Sequence, residues 1–152
     1  NPERLLGSGG GVKQALPYLG DQPFLLLSAD IWTDFSLGDL IANPSRGVVD
    51  LLVVDNPDYH AQGDFSVDAD GRVQMSQVDS GVTFSGIGVF CPSYFSAIKA
   101  REFGLGQVIQ QAIRADACFA SKISDAIYVN VGTPSRLMAL NALLRDEVCV
   151  TS

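Results

Sequence analysis

The sequence predicts an α/β fold, a mixed sheet flanked by helices with an antiparallel hairpin inserted. Three observations predict it. Nearly continuous apolar runs at Phe24–Leu27, Val48–Val54 and Val82–Phe90 alternate with helical patterns, and such runs belong to sheets covered on both faces. Between the second and third run the pattern changes to polar–apolar alternation on either side of Asp70-Gly71, a hairpin signal. A glycine-rich stretch, Gly7–Gly11, opens the first helical pattern, and the strand after it ends in Ser28-Ala29-Asp30. A carboxylate at the end of a buried strand, near a glycine-rich helix start, marks the place where open α/β sheets bind nucleotides. A chain of 152 residues is expected to form one domain over 1–152.

The elements follow in order. A helix is predicted from about Gly11 to Leu19, with Pro17 near its end, and then the strand Phe24–Leu27. Ser36 to Ile41 reads as a short helix with Ser36 as its cap. Val48–Val54 is a valine-rich buried strand. Asp64–Asp68 and Arg72–Met75 form the hairpin arms. The long strand Val82–Phe90 is interrupted by Gly86 and Gly88, and glycine inside a strand signals a bulge or a ligand's close approach. Pro92–Ile98 is a short helix. Leu105–Ala115 carries Leu105, Val108, Ile109, Ala112 and Ile113 on one helical face. Cys118–Ala120 and Ile127–Val129 are short strands. In the last helix, Pro134–Arg145, Thr133 is the N-cap, Pro134 takes the first position, and Leu137, Leu140, Leu143 and Leu144 form an expected buried stripe.

Composition narrows the function. With 47% hydrophobic residues the chain can bury a substantial core. A net charge of −7 argues against a nucleic-acid partner, which needs a basic footprint. No apolar run reaches the roughly 18 residues of a spanning helix, so no membrane partner is expected. Cys91, Cys118 and Cys149 lie far apart with no C-x-x-C spacing, which suggests buried thiols in a reducing, cytoplasmic setting rather than a disulfide frame.

Five segments carry candidate chemistry. They are Leu6-Gly7-Ser8-Gly9-Gly10, Ala29-Asp30 with Trp32-Thr33-Asp34-Phe35, Asp55-Asn56-Pro57-Asp58-Tyr59-His60 with Gly63-Asp64-Phe65, Thr83-Phe84-Ser85-Gly86-Ile87, and Val129-Asn130-Val131-Gly132-Thr133-Pro134-Ser135-Arg136-Leu137. Each also has a plain reading. Glycines permit a helix entry, Asp30 or Asp34 can cap a turn, and Gly132-Thr133-Pro134 is a helix cap in any case. His60, the single histidine, lies in a polar loop and reads as solvated.

In order and spacing these segments resemble the sugar-1-phosphate nucleotidyltransferases. The short bacterial branch is the nearest, comprising N-acetylmuramate-1-phosphate uridylyltransferases and mannose-1-phosphate guanylyltransferase-like proteins. The resemblance implies a Rossmann-like, GT-A-like nucleotidyltransferase fold whose first strands are missing. The chain begins at Asn1 and lacks the family's glycine-rich loop with an Arg and a downstream Lys, so it is expected to be the C-terminal two-thirds or so of an enzyme and to be inactive alone. The implied reaction is transfer of a nucleotidyl group from UTP or GTP to a sugar 1-phosphate, with release of pyrophosphate. Gly7, Ser8, Gly9 and Gly10 would contact the nucleotide, and Gly63, Asp64, Ser85 and Gly86 would shape the sugar site. Asp30 would be the catalytic metal ligand, with Mg²⁺ as cofactor and Asn130 as the second ligand.

Two departures from the family pattern favour a different reading, a catalytically silent relative that serves as a binding or regulatory domain. Ala29 stands where the family has Gly, and Asn130 where it has Asp. An asparagine offers a metal only a neutral carbonyl oxygen.

Overall fold

The computed structural model describes residues 5–42, 47–75 and 81–150, with positions 39, 41, 42 and 146–150 given by their backbone. The elements are α1 (Gly7–Leu19), β1 (Phe24–Leu27), β2 (Ile31–Thr33), α2 (Leu37–Ala42), β3 (Val49–Val54), β4 (Phe65–Val67), β5 (Val73–Met75), β6 (Thr83–Phe90), α3 (Pro92–Ala97), α4 (Leu105–Arg114), β7 (Cys118–Lys122), β8 (Tyr128–Asn130) and α5 (Pro134–Val150), with a single 3₁₀ turn at Asp58–His60.

Four strands form the main sheet in the order β1-β6-β3-β7. β6 runs antiparallel to both neighbours, while β3 and β7 are parallel. The sheet is therefore mixed, as expected, and β1 lies at one edge. β3 shows why its sequence is almost wholly apolar. Val49, Leu51 and Val53 enter one core with Phe90, Phe95, Val108 and Ala112. Leu52 and Val54 enter a second core with Ile87 and Ile123. Successive strand side chains point to opposite faces, so a strand covered on both sides is apolar at nearly every position, half-buried Asp50 being the exception. The apolar stripe of α4 closes the first core, with Val108, Ile109 and Ala112 buried. The hairpin forms between β4 and β5. Its turn is held by Asp68, whose Oδ1 accepts the N–H of Asp70 at 3.0 Å and of Arg72 at 2.9 Å.

Four expectations change. α1 starts at Gly7, because Gly10 N–H donates to the Phe103 carbonyl and Phe103 N–H to the Leu6 carbonyl. These tertiary bonds override the poor helix propensity of glycine. β2 is an unexpected strand, made by pairing with β8. The leucine stripe of α5 is mostly outside: Leu140 is 6% exposed, but Leu137 is 47% and Leu143 42%. The helix touches the rest of the fold chiefly through β8, so only Leu140 is fully covered and Leu144 is half-buried. Finally, His60 is paired, as described below. Cys118 is buried and Cys91 partly so; the side chain of Cys149 lies outside the described residues.

Candidate active site

The site is built at the end of β1 and β6. The bulge expected at Gly86 is there: the pairing of β6 with β3 shifts register between Leu51 and Val53. Gly86 has φ +83°, and a Cβ on it would lie 2.5 Å from Ile31 Cδ1 and 2.7 Å from Ser28 Oγ. A side chain is excluded on both grounds. Its carbonyl accepts the Ser28 N–H at 2.9 Å, which fixes the turn that presents Asp30.

A cleft of about 560 Å³ opens here, and Ser8, Asp30, Ser85, Gly86, Tyr128 and Asn130 all line it. Five of these were singled out from the sequence; they come from four distant segments. Asp30 is exposed, and its Oδ2 accepts a hydrogen bond from Asn130 Nδ2 at 3.3 Å. Asn130 Oδ1 accepts from Gly132 N–H at 3.1 Å and from Arg136 Nη1 at 3.3 Å. Two donors on one oxygen settle the orientation of the amide, because a flipped amide would set N–H against N–H. Gly132 packs closely under this pair: a Cβ would be 3.0 Å from Asn130 Oδ1 and 3.1 Å from Asp30 Oδ2, so both side chains would have to shift slightly to admit it.

This arrangement bears on a metal. Asp30 is a carboxylate open to the cleft and suits one position on a hard cation. Asn130 turns its amide nitrogen, not its oxygen, toward Asp30, so the two side chains do not converge oxygens on one point. Among the described residues no group of three His, Cys, Asp or Glu side chains is placed to hold a metal ion.

Other predicted residues sit differently. Gly7, Gly9 and Gly10 face the loop before α4 rather than the cleft: added Cβ atoms would lie 2.5 Å from Phe103 and Arg101 atoms. Ser8 Oγ accepts the Leu105 N–H at 3.0 Å, tying the start of α4 to α1. Ser85 is buried, and its hydroxyl donates to the Leu52 carbonyl at 2.8 Å and accepts the Ile87 N–H at 3.2 Å. Both oxygens of Asp64 are engaged, Oδ1 with His60 Nε2 at 3.0 Å and Oδ2 with the Phe84 N–H at 2.9 Å. Gly63, with φ +68°, is pressed against Asn56 and the Val82 carbonyl. Gly63 and Asp64 thus lock the 55–65 loop to β6, and neither lines the cleft.

The sequence reading missed three groups. Tyr128 donates to the Ser85 carbonyl at 2.9 Å and lines both the main cleft and a neighbouring one of about 300 Å³, which Tyr59 also lines. Burial pushes the Tyr128 hydroxyl up to about 12, with Tyr59 and the negative charge of Asp30 adding to it. Arg136 stacks on Tyr59, with Cζ 3.9 Å from the ring centre. All three residues lie in or beside segments that stood out in the sequence, but nothing in their spacing signals the contacts between them.

No protein-family model matches the chain. It is 35% identical over 144 residues to an N-acetylmuramate alpha-1-phosphate uridylyltransferase of Neisseria meningitidis serogroup B, covering 91% of this chain and 62% of that protein. It is 26% identical over 154 residues to a protein of the same name from Caulobacter vibrioides, covering 93% of this chain and 62% of that protein. The chain therefore spans less than two-thirds of the length of these curated relatives. Among solved structures it superposes on the inositol-1-phosphate CTP transferase from T. maritima with a TM-score of 0.70 at 16% identity, covering 86% of this chain and 58% of that one. The α/β fold inferred from the sequence is thus that of a nucleotidyltransferase. No helix among the described residues is long and apolar enough to cross a membrane.

Proposed function

We propose that this chain, a homologue of the sugar-1-phosphate nucleotidyltransferases in sequence and in fold, is the greater part of an enzyme that moves a nucleotidyl group from a nucleoside triphosphate to a sugar 1-phosphate. The observation that carries the reading is the convergence of Ser8, Asp30, Gly86 and Asn130 on one cleft at the end of β1. An oxygen of the sugar phosphate attacks the α-phosphorus of the triphosphate. The new P–O bond forms as the bond to the β-phosphate oxygen breaks, and pyrophosphate leaves with that electron pair. The attacking oxygen is already anionic, so no side chain has to remove a proton. Positioning and electrostatics then supply most of the rate.

Asp30 would hold Mg²⁺ brought in with the nucleotide, an ion that neutralises charge on the phosphates when bound. Asn130 and Gly132 keep the Asp30 carboxylate in place. Ser8 and the start of α1 border the nucleotide side. The loop locked by Asp64, Gly63 and His60 forms the wall on the sugar side, and Gly86 lines the floor of the larger cleft. UTP with N-acetylmuramate 1-phosphate is the first pair to test, since the curated relatives carry that name; GTP with mannose 1-phosphate is the second. A cytoplasmic location suits these substrates.

One observation favours the silent-relative reading: the Asn130 amide nitrogen is turned toward Asp30. Pyrophosphate release by the full-length protein, screened across nucleotides and sugar phosphates with Mg²⁺, separates the two. Release with one pair establishes the enzyme. Saturable nucleotide binding without release from any pair establishes the silent relative.

A further inference from the structure

Arg136 touches one lining residue of each cleft, Asn130 of the larger and Tyr59 of the smaller. It lies in the first turn of α5, where its N–H reaches Thr133 Oγ1 at 3.4 Å, and its side chain turns back toward β8. Its two contacts, the Asn130 amide oxygen and the Tyr59 ring, are both uncharged. Two other cations, each beside a carboxylate, differ. Arg72 meets Asp116 at 2.6 Å and Lys122 meets Asp55 at 2.7 Å, so each is neutralised by a carboxylate. Among the described residues no carboxylate pairs with Arg136. It is half-buried, which reduces the screening of its charge. A guanidinium has five N–H donors in one plane. Stacking on Tyr59 uses the face of that plane, and Asn130 accepts from one donor, so an edge is left to bind. The chain thus holds a fixed positive charge between the two clefts despite its net charge of −7.

We infer that Arg136 is the anion receptor of the site, its guanidinium edge binding the phosphate of the sugar 1-phosphate in a pose set by the Tyr59 ring and the Asn130 oxygen. The identity of the ligand rests on the proposed function; the receptor itself rests on the geometry. Tyr59 belongs to the smaller cleft, away from Ser8 and α1, which assigns Arg136 to the acceptor phosphate rather than to the triphosphate. Asn130 gains a purpose in this arrangement. An aspartate there would form an ion pair with Arg136 and cancel the charge, whereas the neutral amide orients the guanidinium and leaves it unpaired.

Calorimetric titration of the full-length protein with glucose 1-phosphate, and separately with UMP, tests this. Arg136→Gln should weaken glucose 1-phosphate binding roughly tenfold to a hundredfold, the range expected for a charge-assisted hydrogen bond, and leave UMP binding within about twofold. Arg136→Lys keeps the charge without the fork and should fall between. Asn130→Asp should also weaken glucose 1-phosphate binding. Wild-type affinity for glucose 1-phosphate in Arg136→Gln, equal losses for both ligands, tighter binding in Asn130→Asp, or no saturable glucose 1-phosphate binding by the wild type would each overturn the inference. Pyrophosphate release is assayed alongside. If Arg136 controls sugar-phosphate binding but no substrate pair is turned over, the transferase reading fails and the anion receptor stands.

Discussion

Tyr128 shows how much one side chain carries at this site. Its hydroxyl is held by the Ser85 carbonyl, it lines both clefts, and its pKa is pushed up to about 12. A free tyrosine ionises near pH 10. The neutral hydroxyl is therefore favoured more in the folded than in the unfolded chain. Its contribution is complete below about pH 10 and is lost as pH rises through about 12. Equilibrium unfolding measured across that window should show a fall in stability for the wild type that Tyr128→Phe shows less of. Equal slopes in the two proteins would mean that the Tyr128 bond contributes nothing. Tyr128→Phe should also cost about 1 kcal/mol at neutral pH, the net worth of one hydrogen bond. Asp30 is the other residue whose chemistry is specific. In the full-length protein Asp30→Asn keeps size and hydrogen bonding but removes the charge. Pyrophosphate release should drop roughly a hundredfold or more, the scale at which preorganised electrostatic groups act. Near-normal turnover in that variant would remove Asp30 from the chemistry.

At the scale of elements, the bulge in β6 joins fold to function. Gly86→Ala forces a side chain into the left-handed region and into Ile31 and Ser28. It should lower stability by about 2 kcal/mol or more, read as a reduced urea midpoint with an unchanged slope. A midpoint equal to that of wild type would show that the bulge relaxes freely. Elements with a strong internal period were legible in the sequence: α4 by its apolar face, β3 by its unbroken valines and leucines, the hairpin by Asp70-Gly71. β2 was not, because three residues of strand exist only through pairing with β8, far along the chain, as in Ile31 with Asn130. The α5 stripe misled for the opposite reason. Periodicity reports what a helix can bury, but the number of partners around it decides what it does bury, and of the stripe only Leu140 is fully covered. The candidate site divides in the same way. Asp30, Asn130 and Gly86 stood out because strand ends, helix caps and strand glycines are local signals. The Arg136–Tyr59 stack and the His60–Asp64 pair were missed because each depends on how a loop folds back.

At the scale of the whole molecule, the sheet has two cores of unequal size, and the larger one isolates a thiol. Cys118 begins β7, is 2% exposed, and packs with Val49, Phe90, Phe95, Val108 and Ala112. Burial raises its pKa to about 12, and the negative charge of Asp50 adds to the shift. Since only the thiolate attacks a disulfide reagent, Cys118 has two protections in the native fold, a closed core and a protonated sulfur. Both vanish together when the core opens. In a variant with Cys91 and Cys149 changed to serine, Cys118 should be unreactive toward a chromogenic disulfide at pH 8. It should react only as fast as the unfolded state is sampled, so its rate should rise with urea along the slope of global unfolding. A reaction whose rate is insensitive to urea would instead place a local opening at β7, the edge of the sheet opposite β1, and would mean that α4 does not close the larger core as one cooperative unit with the strands beneath it.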